Sequence, residues 1–354
     1  MTLTIIKYLN YSPYLDENVS GGNNSVIIGN SFVGSGSILH DNVVIRGDGK
    51  KIHIGNNCIF KNRATIHVAA KIQGTEIGSN SFIGEYSIIH ACKLGNNTII
   101  GKNAVIMDGS TVEQNSVIKD NSLVSPGKKF APFSLIAGSP AKLIKKMNEK
   151  EYLYYKDQVS KNNPIPTENS FDYREYLKGK KISTEYNLKS YNKVFIAPDA
   201  EVFQSIKMEA NSSIWFSVNI FSSKKNGKII LGEGSNIQDN SIINTLGEEI
   251  VIEKRVTIGH NVILVGSQNI KNDAVIGMGS ILERNCIIGN NSFIGANSYV
   301  KSGTIVPDNT IFAGQPAKYF RKVDKKESLF FKQGQKIYEN LTKEYSQLLP
   351  HNFY

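Results

Sequence analysis

Cysteine is scarce: Cys58, Cys92 and Cys286 are the only three in 354 residues. None is spaced as a CxxC pair, and three thiols are too few for a disulfide framework, so a reducing compartment is expected. Each falls inside a repeat, where a small packed residue fits. No stretch is apolar enough to span a bilayer. The opening MTLTIIKYLNYSPYLDENVS lacks the charged and apolar regions of a secretory signal. It also has no Arg but contains Asp16 and Glu17, which counts against a conventional mitochondrial presequence without excluding internal targeting. The formal charge is +10, yet no basic helix stripe or aromatic-interleaved binding motif accompanies the lysines. A solvated Lys-rich surface is therefore expected, and no nucleic-acid partner.

What is present is a repeat. From Leu94 an aliphatic or aromatic residue recurs every six positions through Ile100, Ile106, Val112, Ile118, Val124, Phe130 and Ile136. From Ile270 the same beat runs through Ile276, Leu282, Ile288, Ile294, Val300, Val306 and Phe312. Shorter runs precede each series, and the breaks between them read as loops at corners. A period of six matches neither a helix nor simple strand alternation, so each hexad reads as one short strand plus one turn. Three hexads then form one coil, inward aliphatics stack from coil to coil, and Gly, Asn and Asp take the corner conformations.

Each series ends alike, in AGSPAKLIKKMNEKEYLYYKDQVSK from Ala137 and in AGQPAKYFRKVDKKESLFFKQGQ from Ala313. A turn at the Pro leading into an amphipathic helix that covers the exposed edge is expected. The polar stretch containing NNPIPTENS reads as a linker. The expected organisation is a repeat domain over residues 1–161, a linker over 162–191 and a second repeat domain over 192–354. The fold class is mainly β, two parallel β-helices each followed by a C-terminal α-helix.

Beyond the hexads, SSIWFSVNIF, LGEGSNIQDNSIINT, VTIGHNVILVGS and AVIGMGSILERNCIIGNNSFIGANSYV resemble the γ-carbonic anhydrase family in order and spacing. In the N-terminal half VVIRGD, ATIHV, FIGEYSIIHAC, IIGKNAVIMDGSTV and LIAGSPAK carry the likeness. The resemblance implies that both β-helices are left-handed, as a tandem duplication, and that the prisms assemble in threes. It also implies a metal held between neighbouring prisms by three His, two from one prism and the third from the next. Imidazole suits Zn²⁺, and three ligands leave a position for a water activated towards carbon dioxide.

The family's first and third ligand positions hold His67 and His90 in the N-terminal half, with Glu85 at the middle one. In the C-terminal half they hold Asn244 and Val265, with His260 at the middle one. Each half lacks what the other keeps, so the resemblance implies one composite zinc site per chain made by His67, His90 and His260. Arg46 and Asp48 keep the family's RGD pattern where the other half has Phe221, Ser222 and Ser223. Gln238 and Asp239 keep its Gln and Asp where the first half has Lys61 and Asn62. These four are the candidate catalytic residues beside the metal. The plainer alternatives are His side chains that only pack or hydrogen-bond, and an Arg46–Asp48 interface salt bridge. Glu85 as a carboxylate ligand with two His from a third subunit is a further alternative. His40, His53 and His351 match no ligand position.

Two prisms cannot close a three-fold ring, so a third γ-carbonic anhydrase-like subunit is the expected partner, giving a heterotrimer. The resemblance implies a module on the matrix side of mitochondrial respiratory complex I, contacting membrane-arm subunits, with a mainly structural role; a cytoplasmic location is the alternative. The loop VAAKIQGTE offers only Glu76 as a proton shuttle, which points to a slow enzyme or none. The alternatives are a free zinc carbonic anhydrase acting on carbon dioxide and bicarbonate, a hexapeptide-repeat acyltransferase, and a non-catalytic β-helix capping module.

Overall fold

In a computed structural model the described residues are 3–70, 72–162, 193–224 and 227–349. The chain divides into two compact units, Met1–Phe171 and Asp172–Tyr354. The expected linker lies outside the described residues apart from Asn162, as does His351. The architecture is mainly β, a solenoid of stacked parallel coils made from hexapeptide repeats, with one helix in each unit among the described residues.

The hexads do what their period requires. In the first unit Ile83 pairs with Ile100, Ile100 with Ile118 and Ile118 with Ile136, each step being 18 residues or nearly so. Ile89, Ile106 and Val124 form a second column, and Ile77, Leu94, Val112 and Phe130 a third. In the second unit the columns are Ile258–Ile276–Ile294–Phe312, Leu264–Leu282–Val300 and Ile270–Ile288–Val306. Each unit therefore has three strands per coil and its own continuous aliphatic core. Removing these side chains from water is the main stabilising term, about 1.5–3 kcal/mol for each fully buried one.

Corners carry the conformations that stacking demands. Asn97, Asn103, Asn115, Asn121, Asn291 and Asn309 all have φ between 50° and 57°, a left-handed region that Asn tolerates better than other side chains. Their amides also ladder along the stack, Asn97 to Asn115 at 3.0 Å and Asn291 to Asn309 at 2.8 Å. The three cysteines are buried and free. Burial pushes the Cys58 and Cys286 thiols up to about 11 and Cys92 higher still.

The fold departs from the expected one at two places. The first break in the hexad beat, between Ile45 and Ile54, is not a loop, because the strand Val44–Ile54 runs unbroken through the corner. It pairs with Thr65–His67 at one end and Thr75–Ile77 at the other, since both neighbours offer ladder partners. Nor do the helices cover the last edge. That role falls to antiparallel strands, Ala141–Lys146 against Ser134–Gly138 and Ala317–Lys322 against Thr310–Gly314. The helices, α1 (Glu149–Ser160) and α2 (Lys325–Leu348), lie instead along one face of their unit. α1 packs Tyr152 and Val159 on outward residues of that face, Ile99, Val117 and Leu135. α2 is twice as long and touches coil after coil, from Phe293 through Trp215 to Phe195.

Candidate metal centre

In three neighbouring coils of the first unit Arg46 lies inside the strand Val44–Ile54 while His67 and His90 end theirs, and the three are cross-strand partners in register. Their predecessors Ile45, Ile66 and Ile89 belong to the core, so strand alternation turns the three polar side chains away from it. Arg46 and His67 are nevertheless buried and His90 nearly so. Asp48 ties the first two together: it forms an ion pair with Arg46, and its Oδ1 lies 3.2 Å from His67 Nε2. Burial works to raise the Asp48 carboxyl, but the Arg46 charge and the His67 hydrogen bond outweigh it and hold the group at about 2. His90 has its own carboxylate, with Nδ1 2.5 Å from Asp108 Oδ1. Asp108 is also held below the usual range, burial being outweighed by the bond to His90.

The remaining nitrogens, Nδ1 of His67 and Nε2 of His90, face each other at 3.3 Å. With each outer nitrogen giving its N–H to a carboxylate, both inner nitrogens present lone pairs to one point. Two nitrogens each about 2.0–2.1 Å from a tetrahedral zinc are themselves about 3.3–3.4 Å apart. Imidazole backed by carboxylate is the arrangement that fixes a metal-ligating His. The donor set therefore fits a zinc ion.

In the second unit Phe221, Asn244 and Val265 stand in the same cross-strand register as Arg46, His67 and His90 do in the first. Two of these are apolar and none is a metal-binding imidazole. His260 follows the strand Thr257–Ile258, at the next corner. It is buried, and its Nδ1 lies 3.1 Å from Asp239 Oδ2. Asp239 is fixed in turn by the Phe216 amide, which donates to Oδ1 at 3.1 Å. Gln238 is turned to Asn236, donating to its Oδ1 at 3.2 Å.

A family model described as Dynactin subunit 5 matches residues 3–159. Two hexapeptide models match later residues, "Bacterial transferase hexapeptide (six repeats)" over 269–313 and "Hexapeptide repeat of succinyl-transferase" over 249–284. Gamma carbonic anhydrase 2, mitochondrial, of Arabidopsis thaliana is 32% identical over 42% of this chain and 55% of its own length. A probable carbonic anhydrase of Methanocaldococcus jannaschii is 35% identical over 41% of this chain and 91% of its own length. A carbonic anhydrase of Geobacillus kaustophilus is 43% identical over 36% of this chain and 70% of its own. The chain belongs to the γ-carbonic anhydrase family. It spans little more than half the length of the plant relatives it matches.

Relative to the γ-carbonic anhydrase pattern, Glu85 at the first unit's middle ligand position pairs with Lys102 at 3.2 Å. His53 stacks on Phe32, with ring centroids 4.8 Å apart. Burial, reinforced by Lys61, pushes His40 down from its ordinary value. Neither belongs to the imidazole pair. Two partners of the candidate ligands, one in each unit, have no counterpart among the residues singled out from the sequence. Asp108 lies 18 residues after His90, one coil along, so the repeat period was the signal that could have found it. Tyr338, whose hydroxyl is 3.5 Å from His260 Nε2, arrives on α2 and has no spacing to announce it.

Proposed function

We propose that this chain is a γ-carbonic anhydrase-like subunit, a tandem pair of left-handed β-helices that holds one zinc through His67, His90 and His260. The observation that carries the reading is the imidazole pair of the first unit, facing at 3.3 Å with a carboxylate behind each ring. Two imidazoles leave a tetrahedral ion short of the three protein ligands usual in catalytic zinc sites. His260 is this chain's candidate for the third, with its Nδ1 3.1 Å from Asp239 Oδ2. Zinc there supplies Lewis acidity, the chemistry that activates water towards carbon dioxide. The protein's part is orientation: Asp48 and Asp108 set the two rings, while Arg46 neutralises Asp48.

The proposed role is mainly structural, in a heterotrimer with a third γ-type subunit on the matrix side of respiratory complex I. Support for the compartment comes from relatives whose names place them in mitochondria. Support for weak turnover comes from Glu76, which is paired with Lys93 at 2.9 Å rather than poised to carry protons. A non-catalytic capping module is the second reading, favoured by the Dynactin subunit 5 match over residues 3–159.

Zinc analysis of the native protein beside His67→Ala and His260→Ala tests the proposal. Zinc in the wild type and its loss from both variants is the expected result. Unchanged zinc in either variant removes that residue from the site, and a folded wild type without zinc selects the capping module. Native mass measurement shows whether a third prism is recruited.

A further inference from the structure

Both units close with an antiparallel strand and a helix, and both leave large apolar side chains in solvent there. In the second unit Tyr319 and Phe320 on Ala317–Lys322 are 57% and 65% exposed, and Leu329 and Phe330 near the start of α2 are 61% and 60% exposed. In the first unit Leu143 and Ile144 on the strand, and Leu153 and Tyr154 on α1, are exposed at the same spacing. The packed faces of the helices use other residues, Tyr152 and Val159 in α1 and Tyr338, Leu341 and Tyr345 in α2. Scattered exposed apolar residues need no explanation, but clusters of them mark interaction sites.

Each cluster is wrapped in positive charge. Lys318, Arg321, Lys322, Lys325 and Lys326 are exposed around the second. Its two carboxylates are both engaged, Asp324 as the helix cap and Glu327 in a bidentate pair with Arg321 at 2.6 and 2.7 Å. That pair ties the strand to the first turn of α2, so both apolar pairs lie at one end of the unit. Around the first cluster Lys142, Lys145, Lys146 and Lys150 are exposed, and Glu151 is held by Lys145 and the capping box. The five residues KYFRK are too short to stand out as an aromatic-interleaved basic motif until their exposure is known.

Between the two ends hydropathy and charge are kept while shape is not. Leu143–Ile144 stands where Tyr319–Phe320 does, and Leu153–Tyr154 where Leu329–Phe330 does. A shaped protein pocket discriminates among such side chains, whereas a fluid interface asks only for apolar bulk at its carbonyl level and cations near its phosphates. Aromatic rings and lysines are the residues that settle at that interface. Among the described residues no helix is long and apolar enough to cross a membrane. We propose that the strand-and-helix ends of both units are docking surfaces for an anionic phospholipid bilayer.

Flotation of the full chain with phosphatidylcholine vesicles, with and without phosphatidylglycerol, is the test. The wild type is expected to float with the anionic vesicles at low salt and to be released by added salt. Lys318→Glu with Lys322→Glu is expected to weaken partition roughly fivefold or more per charge reversed. Tyr319→Ser with Phe320→Ser is expected to weaken it at least about tenfold. Unchanged circular dichroism and thermal melting in these variants confirm that they fold. Failure of the wild type to float, equal flotation with neutral vesicles, or flotation of both variants like the wild type overturns the proposal. None of these outcomes bears on the zinc site, which is tested separately.

Discussion

Asp199 holds a carboxyl oxygen, Oδ1, that is buried with no hydrogen-bond partner among the described residues. Both the amide and the hydroxyl of Ser217 donate to the other oxygen at 2.9 Å. Burial pushes its pKa up to about 7 against an ordinary 3.8, the Ser217 bonds only partly opposing this and the Asp239 charge adding to it. A folded pKa above the unfolded one means the native state keeps its proton longer. The associated stability is present below about pH 4 and is lost as pH rises through 7, by at most about 4 kcal/mol. Thermal melts between pH 4 and 8 are expected to show this fall in the wild type and a flatter profile in Asp199→Asn. The corner residue Asn103, at φ 52° and bonded to Asn121 at 3.0 Å, makes a second test. Asn103→Ala is expected to cost about 1–2 kcal/mol in urea unfolding, and Asn103→Gly less because glycine adopts that φ freely. At the imidazole pair of the first unit Asp48→Asn keeps both His67 and His90 but loses the charge behind His67. Zinc affinity is expected to drop about 10–100-fold, read by competition with a chelating dye.

The two helices begin alike and differ in reach. Capping boxes start both, Asn148 with Glu151 and Asp324 with Glu327. After that α1 stops at 12 residues while α2 continues to 24, about 36 Å at 1.5 Å per residue. That length carries Gln335 to the Gly234 carbonyl, Tyr338 to Trp215 and His260, and Tyr345 to Phe195 and Trp215. Tyr345 is fully buried in this aromatic group. Tyr345→Ala is expected to cost about 3–5 kcal/mol in denaturant titration, whereas Leu329→Ala on the exposed side changes stability by no more than about 0.5 kcal/mol. The helices were legible as charged periodic stretches after each Pro, but the strands that follow Pro140 and Pro316 directly, and the caps Asn148 and Asp324, were not. Nor was the helices' destination, because the apolar spacing of a helix names its buried face without naming the surface that receives it.

Within each unit every coil touches only the coils before and after it, so stability accumulates by nearest-neighbour contacts. Coils flanked on both sides hold their hydrogen bonds best, and terminal coils open first. Amide exchange is expected to be slowest in inner strands such as Ile99–Ile100 and Val117–Ile118, and fastest at Tyr14–Leu15; uniform exchange rates across a unit contradict this. Which residues face the core was written in the chain, because a period of six survives as a linear pattern: Leu94 to Ile136 and Ile270 to Phe312 all lie in or against the two cores. The candidate ligands were legible only through the resemblance to the γ-carbonic anhydrases; the pairing of His67 with His90 on neighbouring strands came with the fold. Asp108 behind His90, Tyr338 on α2 and the apolar, cationic ends around Tyr319 and Leu143 emerged only on folding. Stacking brings together residues a full coil apart, and exposure depends on what packs above a side chain; neither is a property of neighbours along the chain.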